Sequence, residues 1–256
     1  MVKVKDISDY IDSLAPYATK CEWDNCGILV GDENKPVRCI GVALDLTEET
    51  LEAAVANNVN MIVTHHPIIF RAQKAFLKGN MAYELATRGI SAVSAHTCFD
   101  CASGGVNDVL CDILGLINVQ GVPSAECGVP MARIGSLNFD DLISPEQLAE
   151  IVAEKLGTTV RVVEGNRKIS RVAVCGGAGM SFVADAVKMG ADAYVTGDVS
   201  YHEALDAKTM GITVISAGHF ETENPSMAYL KKYLEEKFPN VEIVLLKQNS
   251  PFKFIG

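Results

Sequence analysis

Apolar residues at Ile7, Tyr10, Ile11 and Leu14 recur at helical spacing and stop before Pro16, which predicts a short N-terminal helix. Beyond it, short apolar runs alternate with amphipathic stretches. Residues 39–44 form a buried strand, and Asp45 with Glu48 three positions on predicts a helix cap and its reciprocal acid. The helix that follows runs through Leu51, Ala54 and Val55. Residues 61–63 form the next strand, which ends in Thr64-His65-His66-Pro67. A helix over 81–87 ends at Gly89, residues 90–95 are another buried strand, and a helix over 106–114 is closed by Gly115. Strands and helices alternating in this way imply a largely parallel sheet with helices on its faces.

The later part repeats the plan, with strands at 171–175, 193–196 and 212–217 and helices between them ending at Gly190 and Gly211. Val63-Thr64 matches Val195-Thr196, and Ser94-Ala95 matches Ser216-Ala217. Any two strand–helix–strand segments share element lengths, but these dipeptides at strand ends favour an internal duplication. Between the halves, Ser144-Pro145-Glu146-Gln147 reads as a capped helix start, that helix ends at Gly157, and residues 158–163 alternate as a strand. The expected fold class is α/β: two duplicated α/β lobes with mainly parallel sheets flanked by helices, plus a small α/β connector. The expected boundaries are 1–118, 119–168 and 169–256. No Pro- or Ser-rich linker separates them, so one compact unit is expected.

Composition narrows the function classes. The chain has 48% hydrophobic residues and a formal net charge of −10, from 22 basic and 32 acidic side chains. It is globular, and the acidic balance argues against a nucleic-acid or anionic-membrane partner. No apolar run has the length to span a bilayer. Eight cysteines with no leader segment before them read as reduced thiols of a cytoplasmic protein.

The five histidines change the picture most. Ligands in open parallel sheets bind beyond the carboxyl ends of strands, and His65, His66, His96 and His219 directly follow such ends, with His202 six residues past Thr196. Asp100, Asp198, Glu221 and Glu223 accompany them. Imidazole nitrogens with carboxylate oxygens suit zinc, iron or manganese. Adjacent side chains of an extended segment point apart, so His65 and His66 can serve two ions. The alternatives are a core histidine held by backbone hydrogen bonds and a His-His-Pro segment that only ends a strand.

Thr64-His65-His66-Pro67, Ser94-Ala95-His96-Thr97 with Asp100, Gly197-Asp198 with Tyr201-His202, Gly218-His219 with Thr222-Glu223, and the N-terminal Trp23-Asp24-Asn25 with Gly27 together resemble the Ngg-interacting-factor-like family. Its members are also called dinuclear metal-centre hexameric proteins or GTP cyclohydrolase 1 type 2 homologues. The resemblance runs from the first helix to the last strand, in the family's short form. It implies five ligands to two divalent ions (zinc, iron or manganese): His65, His66, Asp100, His219 and Glu223, in a metal site between the lobes. Glu221 falls outside the motif. His96 and His202 remain as supporting or proton-transfer candidates. Cys98-Phe99-Asp100-Cys101 replaces the family's usual Asn-Leu-Asp, which keeps Asp100 and puts thiols beside it. The resemblance also implies a homohexamer, a trimer of dimers.

The remaining signals are weaker. Cys98-x-x-Cys101 has no second pair to make a zinc ribbon, and small core fillers are the simpler reading. Gly176-Gly177-Ala178-Gly179 joins a strand to a helix; it serves either as a phosphate-binding loop or as a tight turn. Trp23 either lines the cleft or packs in a core or interface. The leading functional expectation is a metal-dependent hydrolase acting on a nucleotide or phosphoester, GTP cyclohydrolase-like by resemblance. The alternative is a non-catalytic metal-binding, metal-handling or interaction scaffold protein.

Overall fold

Buried β-branched runs set the centre of two sheets. The computed structural model describes residues 1–124, 127–138 and 141–253. In chain order the first elements are α1 (Val4–Leu14), β1 (Gly27–Val30), β2 (Cys39–Ala43), α2 (Glu48–Ala56), β3 (Met61–Thr64), α3 (Met81–Arg88), β4 (Ser91–Ser94) and α4 (Thr97–Cys101). Then come α5 (Val106–Leu114), β5 (Leu116–Val122), β6 (Ala132–Leu137), α6 (Pro145–Leu156), β7 (Arg161–Val163), β8 (Arg171–Cys175), α7 (Val183–Lys188) and β9 (Ala193–Thr196). The last are α8 (Tyr201–Met210), β10 (Thr213–Ser216), α9 (His219–Glu223), α10 (Pro225–Lys237) and β11 (Glu242–Leu245). Two compact units result: Met1–Ser103 with Ser226–Asn249, and Gly104–Pro225 with Ser250–Gly256.

The first unit holds a five-stranded sheet in the order β1-β4-β3-β2-β11, parallel except for β1. The second holds a six-stranded sheet in the order β5-β6-β8-β9-β10-β7. There only β8, β9 and β10 are parallel, and β5, β6 and β7 pair antiparallel around them. The chain is therefore α/β with two helix-flanked sheets, and the second sheet is mixed where a mainly parallel one was expected.

The duplicated core is visible in the register. Ala43 pairs with Thr64 and Thr64 with Ser94 in the first unit; Cys175 pairs with Thr196 and Thr196 with Ser216 in the second. In both, the third parallel strand carries an antiparallel edge neighbour, β1 or β7. What surrounds the core departs from the expected boundaries. The segment 119–168 is no separate connector: β6, β7 and α6 build the second sheet and its cover, since an exposed β8 edge is closed by β6. The C-terminal β11 pairs with β2 in the first sheet. It lies at the sheet edge, with Glu242 and Leu245 exposed, Val244 half-buried and Ile243 buried.

Each unit has its own core. Leu51, Ile62, Leu85 and Leu246 cluster in the first; Leu110, Leu148, Val152, Val174 and Ile215 cluster in the second. Burying each such side chain is worth about 1.5–3 kcal/mol. Local caps follow the sequence in α6, where the Gln147 N–H donates to Ser144 Oγ at 3.2 Å and the Ser144 N–H to Gln147 Oε1 at 2.9 Å. They depart from it in α2, whose cap is Thr47, receiving the Thr50 N–H at 3.2 Å. Cys26, Cys39, Cys98, Cys101, Cys111 and Cys175 are free thiols as expected; Cys21 and Cys127 are disulfide-bonded, which departs from the reading of eight reduced thiols. Among the described residues no helix is long and apolar enough to cross a membrane.

Candidate metal centre

In the first unit the sheet ladder runs past β3 into the histidines. The His65 N–H donates to Ala43 O at 3.2 Å and the His66 N–H to Leu44 O at 3.0 Å. The fixed backbone sends the two imidazoles off the strand end, their centroids 5.0 Å apart. His65, fully buried, donates from Nδ1 to Ala95 O at 2.9 Å. A carbonyl only accepts, so Nδ1 holds a proton, and the lone pair that a neutral ring presents to a metal is the one at Nε2. His66 Nδ1 meets Asp45 Oδ1 at 2.7 Å. Asp45 is thus no helix cap but the group that orients His66.

His96 follows β4 and meets Asp24 Oδ1 through its own Nδ1 at 2.8 Å. Asp24 also accepts from the Thr97 N–H at 3.0 Å and from the Asn25 N–H at 2.7 Å. Burial opposes its ionisation, yet the hydrogen bond and charge of His96 and the Thr97 donors hold the carboxyl well below the usual carboxylate range. The three histidines place ring nitrogens within 4.8 Å of one another, a spacing that could hold a metal ion. Asp100, buried on α4, puts Oδ1 3.5 Å from His65 Nε2.

In the second unit β10 leads through Gly218, whose φ of +91° lets the chain turn, into α9. The i,i+4 spacing puts His219 and Glu223 on one face, with His219 Nε2 3.1 Å from Glu223 Oε2. Asp198, just past β9, holds His219 Nδ1 at 2.7 Å. Burial lowers the pKa of His219, but Glu223 and Asp198 outweigh it and raise it from 6.5 to about 9. The metal-free ring therefore holds a proton that a cation must displace.

The match to known proteins spans the whole of this region. A family model described as Duf34/NIF3 (NGG1p interacting factor 3) matches residues 2–251. The chain belongs to the Duf34/NIF3 family. A relative from Clostridium acetobutylicum named GTP cyclohydrolase 1 type 2 homolog is 35% identical over 99% of both chains. One of the same name from Clostridium perfringens is 33% identical over 99% of this chain and 100% of its own. Among solved structures, a Staphylococcus aureus hypothetical protein superposes with a TM-score of 0.90 at 27% identity, covering 99% of each chain. A Bacillus cereus protein related to NIF3 superposes at 0.88 with 25% identity, again over 99% of each.

Within this Duf34/NIF3 chain the donor set fits a divalent ion. Imidazole Nε2 atoms oriented by hydrogen bonds at Nδ1, with carboxylates beside them, are the arrangement that metal-binding histidines require. His96 belongs with His65 and His66 by position. His202 does not join either group: it is exposed on α8 and packs its ring edge-on against Tyr201 at 5.6 Å. Glu221 lies on the same short helix two residues before Glu223, which turns it about 200° away from the face that His219 and Glu223 share.

The glycine loop after β8 serves the site as a tight turn. Gly176, Gly177 and Gly179 donate their N–H groups to Asn107 Oδ1, Thr222 Oγ1 and Thr196 Oγ1 at 2.8, 3.1 and 3.2 Å. Those donors are committed to the protein, which removes the phosphate-loop alternative. Gly177 instead makes room: a Cβ there overlaps Glu223 Oε1 and stands 3.0 Å from His219 Nε2.

The thiols stand aside. Cys98 Sγ points to Cys26 Sγ at 3.5 Å and Cys101 Sγ to Thr19 Oγ1 at 3.4 Å, so the two do not form a joint ligand pair. The hydrogen bond to Cys26, then burial, pushes the Cys98 thiol up, away from the thiolate a metal takes. Trp23, half exposed, packs edge-on to His96 at 6.0 Å and to Phe70 at 5.8 Å.

The anchoring partners Asp24 and Asp45 were not singled out by sequence reasoning. Asp24 had a signal in its Trp23-Asp24-Asn25 motif. Asp45 had only a competing one, since an acid before Glu48 reads as a cap.

Proposed function

We propose that the protein is a dinuclear metal-dependent hydrolase acting on a nucleotide or phosphoester, with His65, His66, Asp100, His219 and Glu223 holding two divalent ions: zinc, iron or manganese. The observation that supports it is the shared build of His65, His66, His96 and His219, each with Nδ1 tied to an acceptor at 2.7–2.9 Å. Such ties fix the tautomer and aim Nε2, which a histidine that merely fills space does not need. Bound dications would supply acidification of water and stabilisation of developing negative charge at neutral pH.

The protein's own residues then have separable tasks. Asp45, Asp24 and Asp198 orient imidazoles. Asp100 and Glu223 offset cation charge. His96, held by Asp24, moves a proton at Nε2, and His202 is the comparison residue. The relatives' name, GTP cyclohydrolase 1 type 2 homolog, makes GTP the first substrate to try. The same reading extends to a homohexamer built as a trimer of dimers, which sedimentation velocity tests directly.

The deciding experiment is metal analysis of the native protein beside His65→Ala, Asp100→Ala and Glu223→Ala, followed by incubation of the loaded protein with GTP and generic phosphoesters. The expected result is two equivalents of metal in the native protein, less in each variant, and turnover that His96→Ala removes and His202→Ala does not. Two equivalents persisting in all three variants overturns the ligand set. Full occupancy without turnover of any substrate overturns the hydrolase.

A further inference from the structure

Beside His219 the second unit has a cavity of about 300 Å³ whose walls include Arg161, Asp198, Ser216, Glu221, Phe252 and Lys253. The sheet register puts Arg161 there. It begins β7 and pairs with Ser216, the last residue of β10, so it stands at the strand end from which the chain continues to His219. Its guanidinium is already aimed: Nη2 donates to Val199 O at 3.2 Å and to Ser216 Oγ at 3.1 Å, and Ser216 Oγ in turn donates to Gly197 O at 2.8 Å. Among the described residues these are the guanidinium's only hydrogen bonds to protein, which leaves Nε and Nη1 as uncommitted donors.

We infer that this cavity is the subsite for an aromatic phosphomonoester of mononucleotide size, with Arg161 gripping the phosphate, Lys253 adding charge and the Phe252 ring taking the aromatic body. A planar guanidinium matches two phosphate oxygens at once, and fixing it beforehand lowers the entropy lost on binding. Phe252 is 71% exposed and gives a stacking face to any base. Charge selects the phosphorylation state. Asp198 is engaged by His219, so Arg161 and Lys253 face one further acid, Glu221. That balance favours one phosphate over a triphosphate, and the volume lies at the small end of ligand sites.

The assignment rests on the hydrolase reading for what happens to the ligand, not for its capture. It is tested by calorimetry on zinc-loaded protein with GMP, GTP, guanosine and inorganic phosphate, metal content being measured in every sample. GMP is expected to bind tightest. Arg161→Ala weakens it about 10- to 100-fold and Arg161→Lys recovers only part, because lysine keeps the charge but not the fork. Phe252→Ala costs about 10-fold and leaves inorganic phosphate binding unchanged. Metal stoichiometry stays at the native value throughout. GMP binding unaltered by Arg161→Ala, or inorganic phosphate binding as tightly as GMP, overturns the subsite. GMP bound through Arg161 with no turnover at full metal occupancy sustains the subsite and overturns the hydrolase instead.

Discussion

Replacing Gly177 by alanine tests whether the backbone beside α9 is shaped around the Glu223 carboxylate. Two costs are separable. The first is conformational: Gly177 has φ +61°, and an L-residue pays about 1–2 kcal/mol in that region. The second is steric: the new Cβ overlaps Glu223 Oε1 and lies 3.1 Å from Glu223 Cδ and 3.0 Å from His219 Nε2. Non-bonded carbon contacts are comfortable near 3.5–4.0 Å, so the carboxylate must retreat by roughly 1 Å, beyond the ~0.2 Å tolerance of a metal–ligand bond. Gly157→Ala is the matched control. It carries the same strain at φ +62° with nothing within 4 Å of its Cβ.

Gly157→Ala should lose about 1–2 kcal/mol in urea unfolding of the metal-free protein, and Gly177→Ala at least as much, because the contact with Glu223 adds to the same backbone strain. Only Gly177→Ala should lose metal affinity, by about 10- to 100-fold in a competition titration with a chromogenic chelator. Equal zinc affinity in the two variants refutes the reasoning, because Glu223 would then be shown not to need the space that Gly177 leaves.

Other outcomes follow from the same geometry. Asp45→Ala should weaken metal binding about 10-fold or more by releasing His66 Nδ1, with little change in unfolding free energy since Asp45 is substantially exposed; unchanged chelator competition contradicts this. Because the His219 pKa is raised from 6.5 to about 9, its stabilising contribution to the metal-free protein is fully present below pH 6.5 and is lost as pH rises through 9. The shift corresponds to about 3 kcal/mol at most. Since a third of the side chain is exposed, about 1–2 kcal/mol remains after screening, and urea titrations at pH 6 and pH 9.5 on wild type and His219→Ala check it. Zinc binding near neutral pH should release a proton from the same group, read from calorimetry in buffers of different ionisation enthalpy. Leu110→Ala, 1% exposed in the second unit's core, should cost about 2–5 kcal/mol without altering the first unit's histidine geometry.

The parts of the fold that sequence reveals are those decided locally. Helix α6 was readable because cap, proline and reciprocal glutamine lie within four residues, and the ends at Gly89, Gly115, Gly157 and Gly211 because only glycine enters those turns cheaply. The parallel strands were readable because a strand buried on both faces is an unbroken apolar run. Strand neighbours were not. β11 and β2 lie near opposite ends of the chain yet pair residue for residue, and nothing in Glu242–Leu245 names its partner. Of the antiparallel strands, residues 158–163 read as a strand with no direction of pairing, and Leu116–Val122 and Ala132–Leu137 do not read as strands, since neither buries alternate residues.

The site divides along the same line. Histidines at strand ends were visible because the strands were. Their orientation was not, because it rests on residues distant in sequence: Asp45 serves His66, Asp24 serves His96 and Asp198 serves His219. The duplication explains why these acids stand where they do. His65-His66 follow Thr64 in one unit, and Gly197-Asp198 follow Thr196 at the matching strand end in the other. One copy of the edge keeps imidazoles and the other keeps the carboxylate that aims an imidazole. After the third parallel strand both copies place a five-residue helix with a carboxylate in its last two positions, Asp100 on α4 and Glu223 on α9. A helix that short gains little from its own hydrogen bonds. Its recurrence is better accounted for by what it holds: in each unit a carboxylate oxygen within 3.5 Å of a histidine Nε2, at the strand edge where α/β sheets place their chemistry.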